Sequence, residues 1–192
     1  MYRFLNAIQE TIIAAIVVVP VLLLIGKSKQ LSIFCSLLYI IFALYLCGVY
    51  SVVGLPNIGY YRFYPNCNWE PFLYMFSDLE TTLLNVILFL PMGLLLPILW
   101  PRFLSFFPVV ALGFSASLFI EFAQLFTYRA TDINDLMTNT VGTIIGYLLA
   151  RILHRMIPHL RTDKNGLRFV PFVTLPLLIM FVLQPVIWKI AN

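Results

Sequence analysis

Six stretches of this chain run without a charged side chain: residues 11–26, 30–61, 81–101, 103–120, 136–150 and 169–188. Soluble domains, with roughly a quarter of their residues charged, do not leave windows of this length empty of charge. A bilayer does, because ionised groups are costly at membrane depth and about 20 apolar residues of helix cross about 30 Å of hydrocarbon. Only 10% of the 192 residues are charged and 61% are hydrophobic. The chain is therefore expected to be an all-α, polytopic transmembrane bundle of about six helices. The spans predicted are 8–26, 31–53, 81–99, 104–126, 136–153 and 169–189, the fifth window being short and borrowing its polar-faced flanks.

Arg3 precedes the first apolar run, as in a secretory signal, but no small-residue cleavage site comes before Gly26-Lys27 and the run is long for a signal core. It is read as a transmembrane helix. Prolines at 20, 91, 97, 171, 176 and 185 fall inside the predicted helices, where neighbouring helices can satisfy the backbone groups they free, and they predict kinks. Lys27, Lys29, Arg102, Arg151, Arg155, Arg161, Lys164 and Arg168 fall on one side of the membrane; Arg3, Arg62, Arg129 and Lys189 fall on the other. The excess of Lys and Arg marks the cytoplasmic side, which puts both termini and the aromatic loop 54–80 outside.

Polar residues break the apolar pattern in one region. On helical spacing, Gly113, Ser117, Glu121, Gln124 and Tyr128 share one face, while Asp132, Asp135, Asn139, Gly142 and Gly146 share the next. Two antiparallel helices joined near Arg129 would bring the polar ends together, with the glycines letting the backbones approach. At about 1.5 Å of rise per residue, Asn85, Glu121 and Asn139 come to similar depths in the outer leaflet, with Arg129, Asp132 and Asp135 above them. Each has a structural explanation as well. Thr131 or Asp132 can cap a helix N-terminus, and Asn85 and Asn139 can bond between helices. A carboxylate at the depth of Glu121 must be protonated, hydrated or paired, and Arg129 is the nearest cation in the sequence.

Asn85-Val-Ile-Leu-Phe89-Leu-Pro91-Met-Gly93, then Glu121-x-x-Gln124, then Arg129-x-x-Asp132-x-x-Asp135-x-x-x-Asn139-x-x-Gly142-x-x-x-Gly146 resembles the VanZ family of small bacterial membrane proteins. The preceding Asn68-Trp-Glu-Pro71-Phe72 is similar to that family's Asn-x-x-Pro-Phe element. The likeness covers residues 38–153, leaving 1–37 as an N-terminal transmembrane region and 154–192 as a basic loop with a C-terminal helix. It implies a multi-pass protein of the bacterial cell membrane, associated with low-level resistance to the glycopeptide teicoplanin. The candidate binding residues, from their convergence at one depth, are Asn85, Glu121, Gln124, Arg129, Asp132, Asp135 and Asn139, with Gly93, Gly142 and Gly146 packing helices.

The chemistry of that set admits two kinds of ligand. Carboxylate and amide oxygens suit a hard divalent cation, whereas Arg129 suits a phosphate or a carboxylate. A lipid-linked cell-wall precursor or a glycopeptide meets either description, and no other cofactor is expected. His154 and His159 lie in the basic loop at a spacing that does not match a helical zinc motif, and Gly26-Lys27-Ser28 lacks the first glycine of a phosphate loop. No serine or cysteine has a base beside it. Cys35 and Cys47 are about 18 Å apart along one helix, too far to bridge, and Cys67 has no obvious partner.

Loop 54–80 carries Tyr60, Tyr61, Phe63, Tyr64, Trp69, Phe72, Tyr74 and Phe76, the composition of an interfacial aromatic belt. Arg151 to Arg168 suit anionic lipid headgroups at about 1 kcal/mol per charge, and nothing suggests nucleic acid. The expectation is a non-enzymatic envelope protein that binds or shields a lipid or antibiotic at the outer leaflet. An enzyme acting on a lipid-linked substrate and a small transporter using Glu121 are the alternatives. The oligomeric state is not legible.

Overall fold

A computed structural model describes residues 2–72, 75, 78–157 and 167–191. Six helices follow one another: α1 (Tyr2–Ser28), α2 (Ile33–Val53), α3 (Leu79–Leu99), α4 (Phe106–Gln124), α5 (Ile133–Met156) and α6 (Phe169–Ala191). All six are long and apolar enough to cross a membrane, so this is a multi-pass, all-α membrane protein. Two-residue strands β1 (Cys67–Asn68) and β2 (Thr131–Asp132) pair in parallel. Helices α1, α3 and α6 continue through Pro20, Pro91, Pro97, Pro176 and Pro185.

Helix ends follow local chemistry. The Ser32 hydroxyl caps α2 by accepting the Cys35 N–H, and Gly54 closes the same helix in the left-handed conformation at φ 65°. Helix α4 stops at Gln124, short of the predicted 126, because Leu125, Phe126 and Thr127 each donate to a carbonyl three residues back and tighten the chain into turns. Tyr128 therefore leaves the polar face assigned to it. It is exposed, with its ring 5.7 Å from that of Tyr64. Helix α5 runs to Met156, so His154 sits with Arg155 in the last helical turn and not in a loop. Cations are favoured at that end of the helix dipole. His159, Arg161, Lys164, Tyr74 and Phe76 lie outside the described residues.

The chain divides into two units. In the first, α1, α2 and α6 pack around Ala14, Val18, Tyr39, Phe42, Cys47 and Met180. The Phe172 ring lies 5.2 Å from Tyr39 and 6.1 Å from Phe42, and the Leu167 N–H donates to the Tyr39 hydroxyl, fixing where α6 begins. A polar thread crosses this apolar core. Glu10 is buried, and its Oε2 accepts from the Ser51 hydroxyl at 2.6 Å and from Gln184 Nε2 at 3.0 Å. Asn57 Nδ2 in turn donates to Gln184 Oε1. An unsolvated carboxylate must find such partners, and these hold three helices together.

In the second unit the closest pair is α3 with α5. A Cβ added at Gly142 would stand 2.2 Å from the Val86 carbonyl oxygen, one at Gly146 2.1 Å from that of Leu90, and one at Gly93 2.0 Å from that of Thr143. Only glycine lets two backbones meet at that distance. This corrects the expectation that the α5 glycines would face α4. Gly113 of α4 does meet α5, but at the Thr143 side chain. Helix α4 buries Gly113, Ser117, Glu121 and Gln124 and exposes Phe107, Phe119 and Phe122, an arrangement suited to lipid on its outside.

Candidate functional site

Helices α3 and α5 are separated by one crossing and so run parallel, which brings their N-terminal ends to the same end of the second unit. Each is capped by an aspartate. Asp78 Oδ1 accepts the Thr81 N–H at 3.1 Å and its Oδ2 the Thr81 hydroxyl at 2.8 Å. Those two bonds, the hydroxyl's first, hold the Asp78 carboxyl below its ordinary range. Asp132 Oδ1 accepts the Asn134 N–H at 2.8 Å.

The loop that carries β1 is tied to the start of α5. Asn68 Nδ2 donates to Asp132 Oδ2, and Thr131 N–H donates to the Asn66 carbonyl. Asn134 works on both sides of its amide. Its Nδ2 lies 2.9 Å from Asp132 Oδ1 and 3.2 Å from the Glu70 carbonyl, while its Oδ1 accepts the Phe72 N–H at 2.6 Å. Phe72 is held at φ 65°, a left-handed conformation uncommon for a bulky residue. The Asn68-x-x-Pro71-Phe72 element is thus a strap whose two ends are fastened to Asp132 and Asn134.

Asn85 Nδ2 donates to Asp135 Oδ1 at 2.6 Å, joining the second turn of α3 to the first turn of α5. Between them lies a cavity of about 70 Å³ lined by Asp78, Thr81, Thr82, Asn85, Asp132, Asn134, Asp135 and Thr138, with Met75. It has room for several water molecules. Three carboxylates therefore border one small polar space. Among the described residues, no group of three or more His, Cys, Asp or Glu side chains is arranged to hold a metal ion.

Glu121 lies behind this layer. Its Oε2 accepts the Asp132 N–H at 2.8 Å, and its carbonyl accepts the Thr131 hydroxyl at 2.9 Å. The Arg129 guanidinium acts electrostatically on Glu121 and Asp135. Deeper still, Asn139 Nδ2 donates to the Ser117 hydroxyl at 2.9 Å, tying α5 to α4, while its Oδ1 is buried with no hydrogen-bond partner among the described residues.

The profile of one family matches residues 33–154, well over half of the chain: VanZ/LLP1. This chain belongs to the VanZ/LLP1 family. It is similar to "Protein VanZ" of Enterococcus faecium, with 36% identity over 98 residues that make up 50% of this chain and 60% of that protein. The chain thus covers less than two thirds of that relative's length. No solved structure matches it.

In this VanZ/LLP1 chain the expected site residues separate into two layers. Asn85, Asp132 and Asp135 line the cavity. Glu121, Gln124 and Asn139 are buried and do not line it, and Arg129 is half-buried in the connecting turn. Gly93, Gly142 and Gly146 pack α3 on α5. Five polar contributors escaped the sequence reading: Asp78, Thr81, Thr82, Asn134 and Thr138. The Asp78-x-x-Thr81 spacing ahead of an apolar run is a readable cap signal, and Asn134 stood in the open beside Asp132. What the sequence withheld was that both caps border the same space.

Proposed function

We propose that this VanZ/LLP1 protein resides in the bacterial cell membrane and contributes to glycopeptide resistance by binding a donor-rich ligand at the outer face. That ligand is the amino or hydroxyl-bearing head of a lipid-linked cell-wall precursor, or the glycopeptide itself. The observation that carries the reading is the convergence of Asp78, Asp132 and Asp135 on one small cavity. Carboxylates and amide oxygens accept hydrogen bonds from ammonium and hydroxyl groups, and charge-assisted bonds are the stronger kind. The excess of Lys and Arg at the opposite helix ends supports an outward-facing cavity.

Binding is favoured over turnover because Glu121, the best acid or base by position, spends its Oε2 on the Asp132 amide and does not border the cavity. A divalent cation is the second reading only through its waters: among the described residues the three carboxylates are not arranged to hold one directly, whereas Mg²⁺ keeps several waters that could reach them and a ligand phosphate. The test compares cells lacking the protein with cells carrying wild type, Asp135→Asn or Glu121→Gln at matched membrane levels, scored for teicoplanin susceptibility. Loss of one charge-assisted bond, worth roughly 1.5–3 kcal/mol, should weaken ligand binding by about 10- to 100-fold. Asp135→Asn should therefore fall toward the level of cells without the protein, and Glu121→Gln should remain near wild type. Full protection by a folded Asp135→Asn protein defeats the reading, and dependence of ligand binding on Mg²⁺, abolished by chelation, selects the cation version.

A further inference from the structure

The first unit contains a larger cavity, of about 640 Å³, between the end of α1 and the start of α6. Its walls are Leu22 and Ile25 of α1 with Phe172 and Leu175 of α6, and two cations, Lys29 and Arg168, border it. Lys29 immediately follows α1, and Arg168 immediately precedes α6; both are exposed, whereas Leu22 and Phe172 are buried. Leu22 and Leu175 each stand seven residues further into their helix, about 10 Å at 1.5 Å per residue. The space therefore has a basic mouth where two spans leave the membrane and an apolar interior that follows them inward.

We infer that this cavity is a binding site for one anionic phospholipid, its phosphate held between Lys29 and Arg168 and the upper part of an acyl chain lying on Leu22, Ile25, Phe172 and Leu175. Charge complementarity argues for this occupant: among the described residues the lining contains two cations and no carboxylate. Arginine grips a phosphate through two parallel N–H bonds, and lysine supplies a compact charge beside it. The volume lies within the 300–1,000 Å³ usual for small-molecule sites. The apolar wall distinguishes a lipid from a soluble anion, which would gain nothing from it. Basic pockets between transmembrane helices on the side rich in Lys and Arg are where anionic headgroups are bound. Isolated cations at helix ends reach the interface without a cavity beneath them, so snorkelling alone does not account for the arrangement.

The experiment is native mass spectrometry of the purified, delipidated full chain titrated with phosphatidylglycerol or phosphatidylcholine. Wild type should retain one phosphatidylglycerol with at least about tenfold preference over phosphatidylcholine, which corresponds to about 1.4 kcal/mol. Two variants attack the site differently. Lys29→Ala with Arg168→Ala removes the charges at exposed positions, and Leu175→Trp fills the cavity without touching them. Each should lower phosphatidylglycerol retention about tenfold while the melting curve stays that of wild type. Should Leu175→Trp fail to fold, the double alanine variant decides alone. Equal retention of the two lipids, wild-type retention by a folded variant, or displacement of the lipid by millimolar inorganic phosphate would each overturn the assignment.

Discussion

Replacing Gly142 by alanine is the sharpest probe of how the second unit is held together. The new Cβ would lie 2.2 Å from the Val86 carbonyl oxygen, 2.9 Å from its carbon and 3.0 Å from its Cα. These are backbone atoms and cannot rotate aside, so α5 must move off α3 by about 1 Å, which forfeits a quarter to a half of the dispersion at each affected contact. Overpacking typically costs about 1–3 kcal/mol, and the unyielding neighbour places this case near the top. Alanine returns about 1 kcal/mol through helix propensity, leaving a net loss of about 2 kcal/mol. Gly48 of α2 provides the internal control, since a Cβ there would meet only the Thr11 hydroxyl at an ordinary 3.6 Å. Gly48→Ala should therefore stabilise by up to about 1 kcal/mol. Steric-trapping measurements in bicelles would read both values. If the two variants fall within about 0.5 kcal/mol of each other, direct backbone contact does not govern this pairing and the reasoning is wrong.

Glu121→Gln keeps an acceptor for the Asp132 N–H, whereas Glu121→Leu removes it, so only the leucine variant should lose about 1–2 kcal/mol in the same assay; equal losses would mean that hydrogen bond contributes nothing. The Asp78 cap should depend on acidity with a defined sign. Because its folded carboxyl lies below the ordinary value of 3.8, its contribution is complete above that value and disappears as pH falls through the lower folded value. Asp78→Asn should abolish this acid sensitivity in a melting series, and an unchanged profile would assign the sensitivity elsewhere. Asn134→Ala releases the Phe72 N–H and the Glu70 carbonyl, so amide exchange at Phe72 should quicken about tenfold or more while that of α6 stays the same. Unchanged exchange there would show that the strap does not rely on Asn134.

Hydrocarbon imposes its rules locally, which is why the six helices were legible from charge-free windows and why Asp132 could be recognised as a cap. Helix partnership is not local. The Gly142-x-x-x-Gly146 pair announces that some backbone comes close, but spacing alone carries nothing about which one. The short Arg129 connection favoured α4, while the actual contact is Val86 and Leu90 of α3. Glu10 shows the same limit. It stands at the edge of the first charge-free window, where it reads as a flank, because its partners Ser51 and Gln184 are 41 and 174 residues away. The aromatic loop was half legible. Tyr61, Phe63, Tyr64 and Trp69 are exposed as a belt requires, yet the fastening of Asn68 and Phe72 to α5 depends on Asn134, whose single polar side chain gave no hint of two distant partners.

The intimate fit of α3 against α5 also bears on how the chain is made. During synthesis α3 emerges first, and α4 must follow before the matching glycines of α5 arrive. Helix α5 carries Asn139, Thr138 and Thr143, all buried in the finished protein, and is the least apolar of the six spans. Offered to lipid by itself, it would be the poorest candidate for insertion; offered to a waiting α3, it finds Asn85 for Asp135 and bare backbone for its glycines. A helix α3 already in place would thus offer its later neighbour a ready partner, and α3 precedes α5 in the chain.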